Sequence, residues 1–157
     1  MIGSEGVNNT LKVASAEFSV IAHATESIDK VQAAVLNLLP SDLRGRITFK
    51  QNETTGHHGN PIFAFRFILT DPEEIKRFLT GAAARLSSLD RIDLSNEFDK
   101  SIDSDGNLYL RFSKQAAFFG KVQLKQEDAI KLKIKFHGRN REFDTLRVVC
   151  KELGLID

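Results

Sequence analysis

The sequence predicts an α+β fold, a mainly antiparallel sheet with helices packed on one face. Three observations predict it. Several short segments alternate apolar with polar residues, the period of strands that keep one face wet. Others place apolar residues three and four apart, the period of a helix with one buried stripe. The two kinds do not follow one another regularly, which argues against a parallel sheet wound from βαβ units. The 157 residues suit a single domain, 1–157, with 1–12 read as a frayed end. A chain this long buries roughly 70% of its unfolded surface, enough to fold without metal or disulfide.

The elements follow in order. From Val13 to Ala24, residues Ala16, Phe18, Val20 and Ala22 alternate with Ser15, Glu17, Ser19, Ile21 and His23 and predict a strand. Thr25 is the expected cap of a helix whose apolar stripe is Ile28, Val31, Ala34, Val35 and Leu38, and Pro40 ends it. Ile47, Phe49 and Gln51 open a second strand. Ile62–Leu69 is a third, apolar enough on both faces to lie inside a sheet. Asp71-Pro72-Glu73-Glu74 starts a helix with a cap, a first-turn proline and acids at the positive end of the dipole. Its stripe is Ile75, Phe78, Leu79, Ala82 and Leu86, and a second helical piece runs from Ser88 towards Phe98. Asp103-Ser104-Asp105-Gly106-Asn107 is turn chemistry ahead of a strand carrying Leu108, Leu110 and Phe112. A short strand is expected over Val122–Lys125, a longer one over Ala129–His137. A final helix from near Asn140 buries Phe143, Leu146, Val149, Cys150 and Leu153 and stops at Gly154.

Composition narrows the function. Hydrophobic residues at 41% and charged residues at 27% exclude a disordered chain. The single cysteine, Cys150, excludes an intrachain disulfide. No basic-then-apolar leader opens the sequence, and no run approaches the ~20 apolar residues of a membrane span, so a cytoplasmic protein without a membrane partner is expected. The net charge is only +1, but Leu108–Asp157 holds eleven basic and six acidic residues, a balance of +5 against −4 for the rest. Such asymmetry either marks an anion-binding side or is surface scatter.

The catalytic motifs are missing. Gly120-Lys121 has no upstream glycine at phosphate-loop spacing, and no Gly-x-Ser-x-Gly elbow occurs. Asp103-Ser104-Asp105-Gly106 begins like a calcium loop, but its glycine comes too early and Lys114 stands where the bidentate glutamate belongs. The adjacent His57 and His58 invite a metal. Zinc wants three or four ligands, however, and neighbours on an extended chain point apart. They are read as a structural turn or as a turn that meets phosphate, with no metal and no cofactor. Along Ala129–His137, Lys131, Lys133 and Lys135 would project from one face about 6.6 Å apart, near the spacing of phosphates on a single nucleic-acid strand. Arg139 and Arg141 extend that charge. Tyr109 and Arg111 share a face of another strand, a stacking ring beside a guanidinium fork. The competing reading is that strand lysines resist aggregation.

Ala22-His23-Ala24-Thr25-Glu26, the helix ending Asn37-Leu38-Leu39-Pro40, Gly56–Pro61, and above all Gly106-Asn107-Leu108-Tyr109-Leu110-Arg111-Phe112-Ser113-Lys114-Gln115-Ala116-Ala117 resemble an archaeal family of small predicted RNA-binding proteins, also called predicted exosome subunits. The resemblance covers about Val13 to Leu153. It implies a fold like that of the ribosomal protein that binds 5S RNA, and RNA as the partner. The polar positions matching the family pattern are His23, Thr25, His57, His58, Asn60, Asn107, Arg111, Lys114 and Gln115. The combined expectation is a non-catalytic RNA-binding accessory protein, associated with RNA processing or the exosome and its protein partners. Lys131, Lys133, Lys135, Arg139 and Arg141 would meet phosphates, and Arg111, Lys114, Tyr109, His57 and His58 would orient the RNA. The alternatives are a protein-interaction or self-association module, including a homodimer, and an enzyme using His57 and His58 as acid and base.

Overall fold

Strand alternation is set by which side chains leave water. In β1 (Leu11–Ala22) Ala16, Phe18, Val20 and Ala22 are buried while Ile21 is exposed. In β3 (Pro61–Leu69) Phe65, Phe67 and Leu69 are buried and Arg66 and Ile68 exposed. The computed structural model describes residues 11–138 and 142–157; the expected frayed end and the expected helix start near Asn140 lie largely or wholly outside them. Between β1 and β3 come α1 (Ile28–Asn37), α2 (Ser41–Arg44) and β2 (Lys50–Thr55). After β3 come α3 (Pro72–Arg85), α4 (Ser88–Asn96), a 3-10 turn over Phe98–Ser101, β4 (Leu108–Ser113), α5 (Lys114–Phe118), β5 (Ala129–Gly138) and α6 (Phe143–Glu152). The strands form one five-stranded antiparallel sheet in the order β2-β3-β1-β5-β4. Thus β3 and β5 are interior strands, and β2 and β4 are the edges.

The described residues form two compact units. One contains the chain to Ala16, Leu69–Tyr109 and Lys133–Asp157. Its α3 starts as the sequence predicts: Asp71 accepts from the Glu73 N–H at 2.9 Å, Pro72 is the first helical residue, and Ile75, Phe78, Leu79 and Ala82 are buried. Its α6 uses a narrower stripe than expected. Leu146 and Cys150 are fully buried, Val149 and Leu153 half-buried, and Phe143 is exposed, its ring edge-on to Phe98. Gly154 ends that helix with φ 86°, a left-handed conformation that glycine adopts without strain.

The other unit contains Glu17–Ile68 and Leu110–Leu132. Phenylalanines dominate its core: Phe18 stacks on Phe67 at 4.6 Å, and Phe49 meets Phe67 edge-on at 5.4 Å. Ring pairs in these geometries add about 0.5–1.5 kcal/mol to the area they bury. β2 and β3 form a hairpin in register Lys50↔Arg66 to Thr55↔Pro61. Two local expectations change. The cap of α1 is Ser27, whose hydroxyl accepts from the Lys30 N–H, because Thr25 lies in the turn before it. Val122–Lys125 is not a strand; it makes a single bridge, Phe112↔Leu124, with Ser113 N–H donating to the Gln123 carbonyl at 2.8 Å.

Candidate nucleic-acid interface

β5 alternates Ile130, Leu132, Ile134 and Phe136, all buried, with Lys131, Lys133 and Lys135. Lys131 and Lys135 are exposed and Lys133 is half-buried. Because β5 lies between β1 and β4 in the sheet, it is not an edge strand, which weakens the aggregation reading for these lysines. Among the described residues, neither these three lysines nor Arg111 enters an ion pair, whereas Arg66 is held by Glu17 at 3.1 Å.

Tyr109 and Arg111 are both exposed and two apart on β4, hence on one face. The Tyr109 hydroxyl donates to Asp103 Oδ2 at 2.8 Å, and Lys133 Nζ stands 5.8 Å from the Tyr109 ring centroid. Asp103 is the hub of the expected turn. Its carboxylate also accepts from the Asp105 and Asn107 backbone N–H groups and from Asn107 Nδ2. Partial burial works to raise the Asp103 pKa, but the hydrogen bonds from Asn107, Tyr109 and Asp105 outweigh it and hold it down to about 2. The same bond to Asp103 pushes the Tyr109 hydroxyl upward, so the ring stays neutral. The turn thereby fixes a flat ring beside a cation.

Lys114 sits differently from expectation. Rather than being presented on the surface, it is buried at the start of α5. Its ammonium donates to the Ile21 carbonyl at 3.0 Å and to Glu26 Oε1 at 2.9 Å, and lies 2.8 Å from Asp128 Oδ1. His23 Nε2 is 3.0 Å from the same Asp128 oxygen, and the His23 backbone N–H donates to Glu26 Oε1. Desolvation raises the Asp128 pKa, but bonding to Lys114 and then to His23 outweighs it, and the net shift is downward. Asp128 has φ 49°, the left-handed region that aspartate tolerates better than most residues. Ligand atoms of His23, Glu26 and Asp128 lie within 4.8 Å of one another, as a metal would need. The Lys114 ammonium already supplies the cation among them, so the set does not fit a metal.

The fold thus brings together His23, Lys114 and, on the flanking positions, Thr25 and Gln115. Glu26 and Asp128, which complete the network, escape sequence reasoning. They lie 88 and 14 residues from Lys114, and nothing in their local sequence marks them; only the recurrence of His23 and Lys114 in the family pattern points to the place. His57 and His58 are exposed in the β2–β3 hairpin loop, where Gly56 N–H donates to the Asn60 carbonyl and Gly59 takes φ 77°. The loop that carries them joins β2 and β3, which β1 separates from β5 in the strand order. Asn107 caps the Asp103 turn. Arg139 and Arg141 lie outside the described residues. Cys150 is buried, which pushes its thiol up to about 12 and leaves it unreactive in the fold. No helix among the described residues is long and apolar enough to cross a membrane.

Comparison with known proteins places this geometry in a lineage. The sequence model of a family described as RNA binding matches residues 15–136. The RNA-binding protein PAB1135 of Pyrococcus abyssi is 35% identical over 115 residues, covering 72% of this chain and 75% of that protein. The protein MJ0213 of Methanocaldococcus jannaschii is 31% identical over 156 residues, covering 89% and 97%. The structure of Mth689, a DUF54 protein from Methanothermobacter thermautotrophicus, superposes with a TM-score of 0.73 at 25% identity, covering 90% of this chain and 97% of that one.

Proposed function

The chain belongs to the RNA-binding family, and from that premise we propose that it binds RNA through the lysine side of β5. The observation that carries the reading is the row Lys131, Lys133 and Lys135, three cations on an interior strand with no carboxylate partner among the described residues. Nucleic-acid phosphates hold condensed counter-ions, and lysines free to neutralise those phosphates release them to solvent, which drives binding. Tyr109, fixed by Asp103 and neighboured by Lys133, offers a face for a base, and Arg111 a fork for phosphate. Lys114 in this reading positions rather than contacts: it ties α5 to Glu26 and Asp128. His57 and His58, and Arg139 and Arg141, remain contributors to be tested one by one.

The protein acts without turnover and serves as an accessory to RNA processing. The inert Cys150 and the engagement of Lys114, Glu26 and Asp128 with one another support the first part. The resemblance to predicted exosome subunits supports the second, which recovery of the tagged protein with exosome components would test.

Binding to a pool of single-stranded and structured RNA across a salt series tests the surface. Each phosphate contact contributes a slope of roughly −0.7 on single strands or −0.9 on duplex in log affinity against log salt. Alanine at Lys131, Lys133 and Lys135 together is expected to weaken binding at least tenfold and to flatten the slope by about 2. Unchanged affinity and slope would remove RNA from this face. One observation favours a second reading, self-association: β2 is an edge strand and exposed along its whole length, a template for pairing with another strand. Light scattering over a concentration series decides it, and a monomer throughout would reject it.

A further inference from the structure

A groove in the unit formed by Glu17–Ile68 and Leu110–Leu132 is lined by none of the β5 lysines. We infer that this groove seats one nucleotide of single-stranded RNA, its base stacked on Phe118 and its flanking phosphates met by Lys30 and Lys125. The inference rests on the reading of the chain as an RNA binder and adds a second contact to it.

The volume is about 520 Å³, within the range of roughly 300–1,000 Å³ that holds small ligands. The turn before α1, the first half of α1, both ends of α5, and Lys125 and Asp128 line it. Phe118 is an exposed aromatic on its wall, 37% accessible where most phenylalanines of the fold are buried. Its place is fixed. Asn37 Nδ2 donates to the Ala117 and Phe118 carbonyls at 3.0 and 3.1 Å, and the Phe119 ring braces Phe118 edge-on at 5.3 Å. An aromatic face held open beside cations is how proteins capture an unstacked base, since every base has a π-face to offer. Lys30 Nζ stands 5.8 Å from the Phe118 centroid, and neither Lys30 nor Lys125 has an ion-pair partner among the described residues. The Gln115 carboxamide and Thr25 hydroxyl line the same groove and make no side-chain hydrogen bond among the described residues, leaving donors and acceptors for a base edge.

Two carboxylates, Glu26 and Asp128, also line the groove and would repel phosphate if free. Lys114 offsets one of the two charges from within and His23 donates to Asp128, so with Lys30 and Lys125 the charged side chains lining the groove, three lysines against two carboxylates, leave a net +1. A duplex would not fit this role: its bases are stacked on one another, and the ring has access only to an extruded or single-stranded one. The mixture of one ring, two lysines and amide chemistry also differs from the apolar floor that a protein helix needs.

The chain has no tryptophan, so Phe118→Trp creates a single reporter at the wall of the groove. The full-length variant would be titrated with a mixed-sequence ten-nucleotide RNA, single-stranded and as its duplex, while anisotropy of the labelled RNA reports binding independently. Saturable quenching by the single strand and none by the duplex is expected. Phe118→Leu in the natural background should weaken single-strand binding about 5- to 100-fold with the salt slope unchanged, since stacking carries no counter-ion term. Lys30→Ala with Lys125→Ala should weaken binding and flatten the slope by about 1.4. Urea midpoints for each variant report folding, and all three positions are exposed. RNA bound with no quenching and full affinity in Phe118→Leu would overturn the groove while leaving the β5 reading intact. Absence of any RNA binding by the natural chain would overturn both.

Discussion

Replacing Lys114 by methionine removes a charge that the fold has enclosed while keeping the length of the side chain. The lysine side chain is 10% accessible, and its ammonium meets three oxygens, from Ile21, Glu26 and Asp128, between 2.8 and 3.0 Å away. Removing one partner of a fully buried ion pair costs about 3–5 kcal/mol. Here the carboxylates are partly wet, Glu26 at 29% and Asp128 at 49%, so water recovers part of their solvation and the Asp128 share must be discounted. The expected loss is about 2–3 kcal/mol, which for a chain of this size lowers Tm by roughly 4–12 °C. Urea unfolding at neutral pH measures it. The acid dependence gives a sharper check. The folded Asp128 pKa is depressed, so its contribution is fully present above the unfolded carboxylate value near 4 and is lost as pH falls through the folded value. The gap between natural and variant chains should therefore narrow below about pH 4. A double-mutant cycle with Asp128→Asn should show coupling of about 1 kcal/mol or more. Equal stability of Lys114→Met and the natural chain at pH 7, or strict additivity in the cycle, would refute the view that Lys114 holds this corner together.

Two further outcomes follow from groups outside that network. Asp103→Asn removes the charge at the hub of the turn before β4 and should cost on the order of 1–2 kcal/mol at neutral pH; because Asp103 titrates near 2 when folded, the difference should fade as the pH drops from about 4 towards 2, and a constant difference across that range in urea melts would contradict the assignment. Cys150, buried with its thiol near 12, should react with a thiol reagent at pH 8 only when the chain unfolds, at a rate that rises with denaturant; rapid labelling of the native protein would show that α6 opens locally.

Much of the fold was legible because its signals are local. The alternation in β1, β3 and β5 identifies strands and their buried sides without any partner in view, and Asp71-Pro72-Glu73-Glu74 marks the start of α3 by cap chemistry alone. Where two caps compete within three residues, as Thr25 and Ser27 do, the turn geometry decides, and that depends on how β1 ends. The five-residue α5 is too short to display a helical period, so the sequence marks no helix at Lys114. For the candidate site the lysine row was visible for the same reason that β5 was: one face of one strand is a sequence pattern. The network around Lys114 was not, since its members come from the loop after β1, the start of α5 and the turn before β5. Only folding brings those pieces within hydrogen-bond distance.

The two compact units divide the chain after Ala16, Ile68, Tyr109 and Leu132. Each of those boundaries falls inside a strand: β1, β3, β4 and β5. Neither unit is a contiguous stretch of sequence. Cutting the gene into fragments, the usual route to a minimal binding region, would sever strands that both parts use. A protease probing the native protein would find exposed loops such as His57–Asn60. Mapping of RNA contacts on this protein therefore has to proceed by single substitutions in the whole chain. A truncation that abolishes binding would report lost folding before it reported a lost contact.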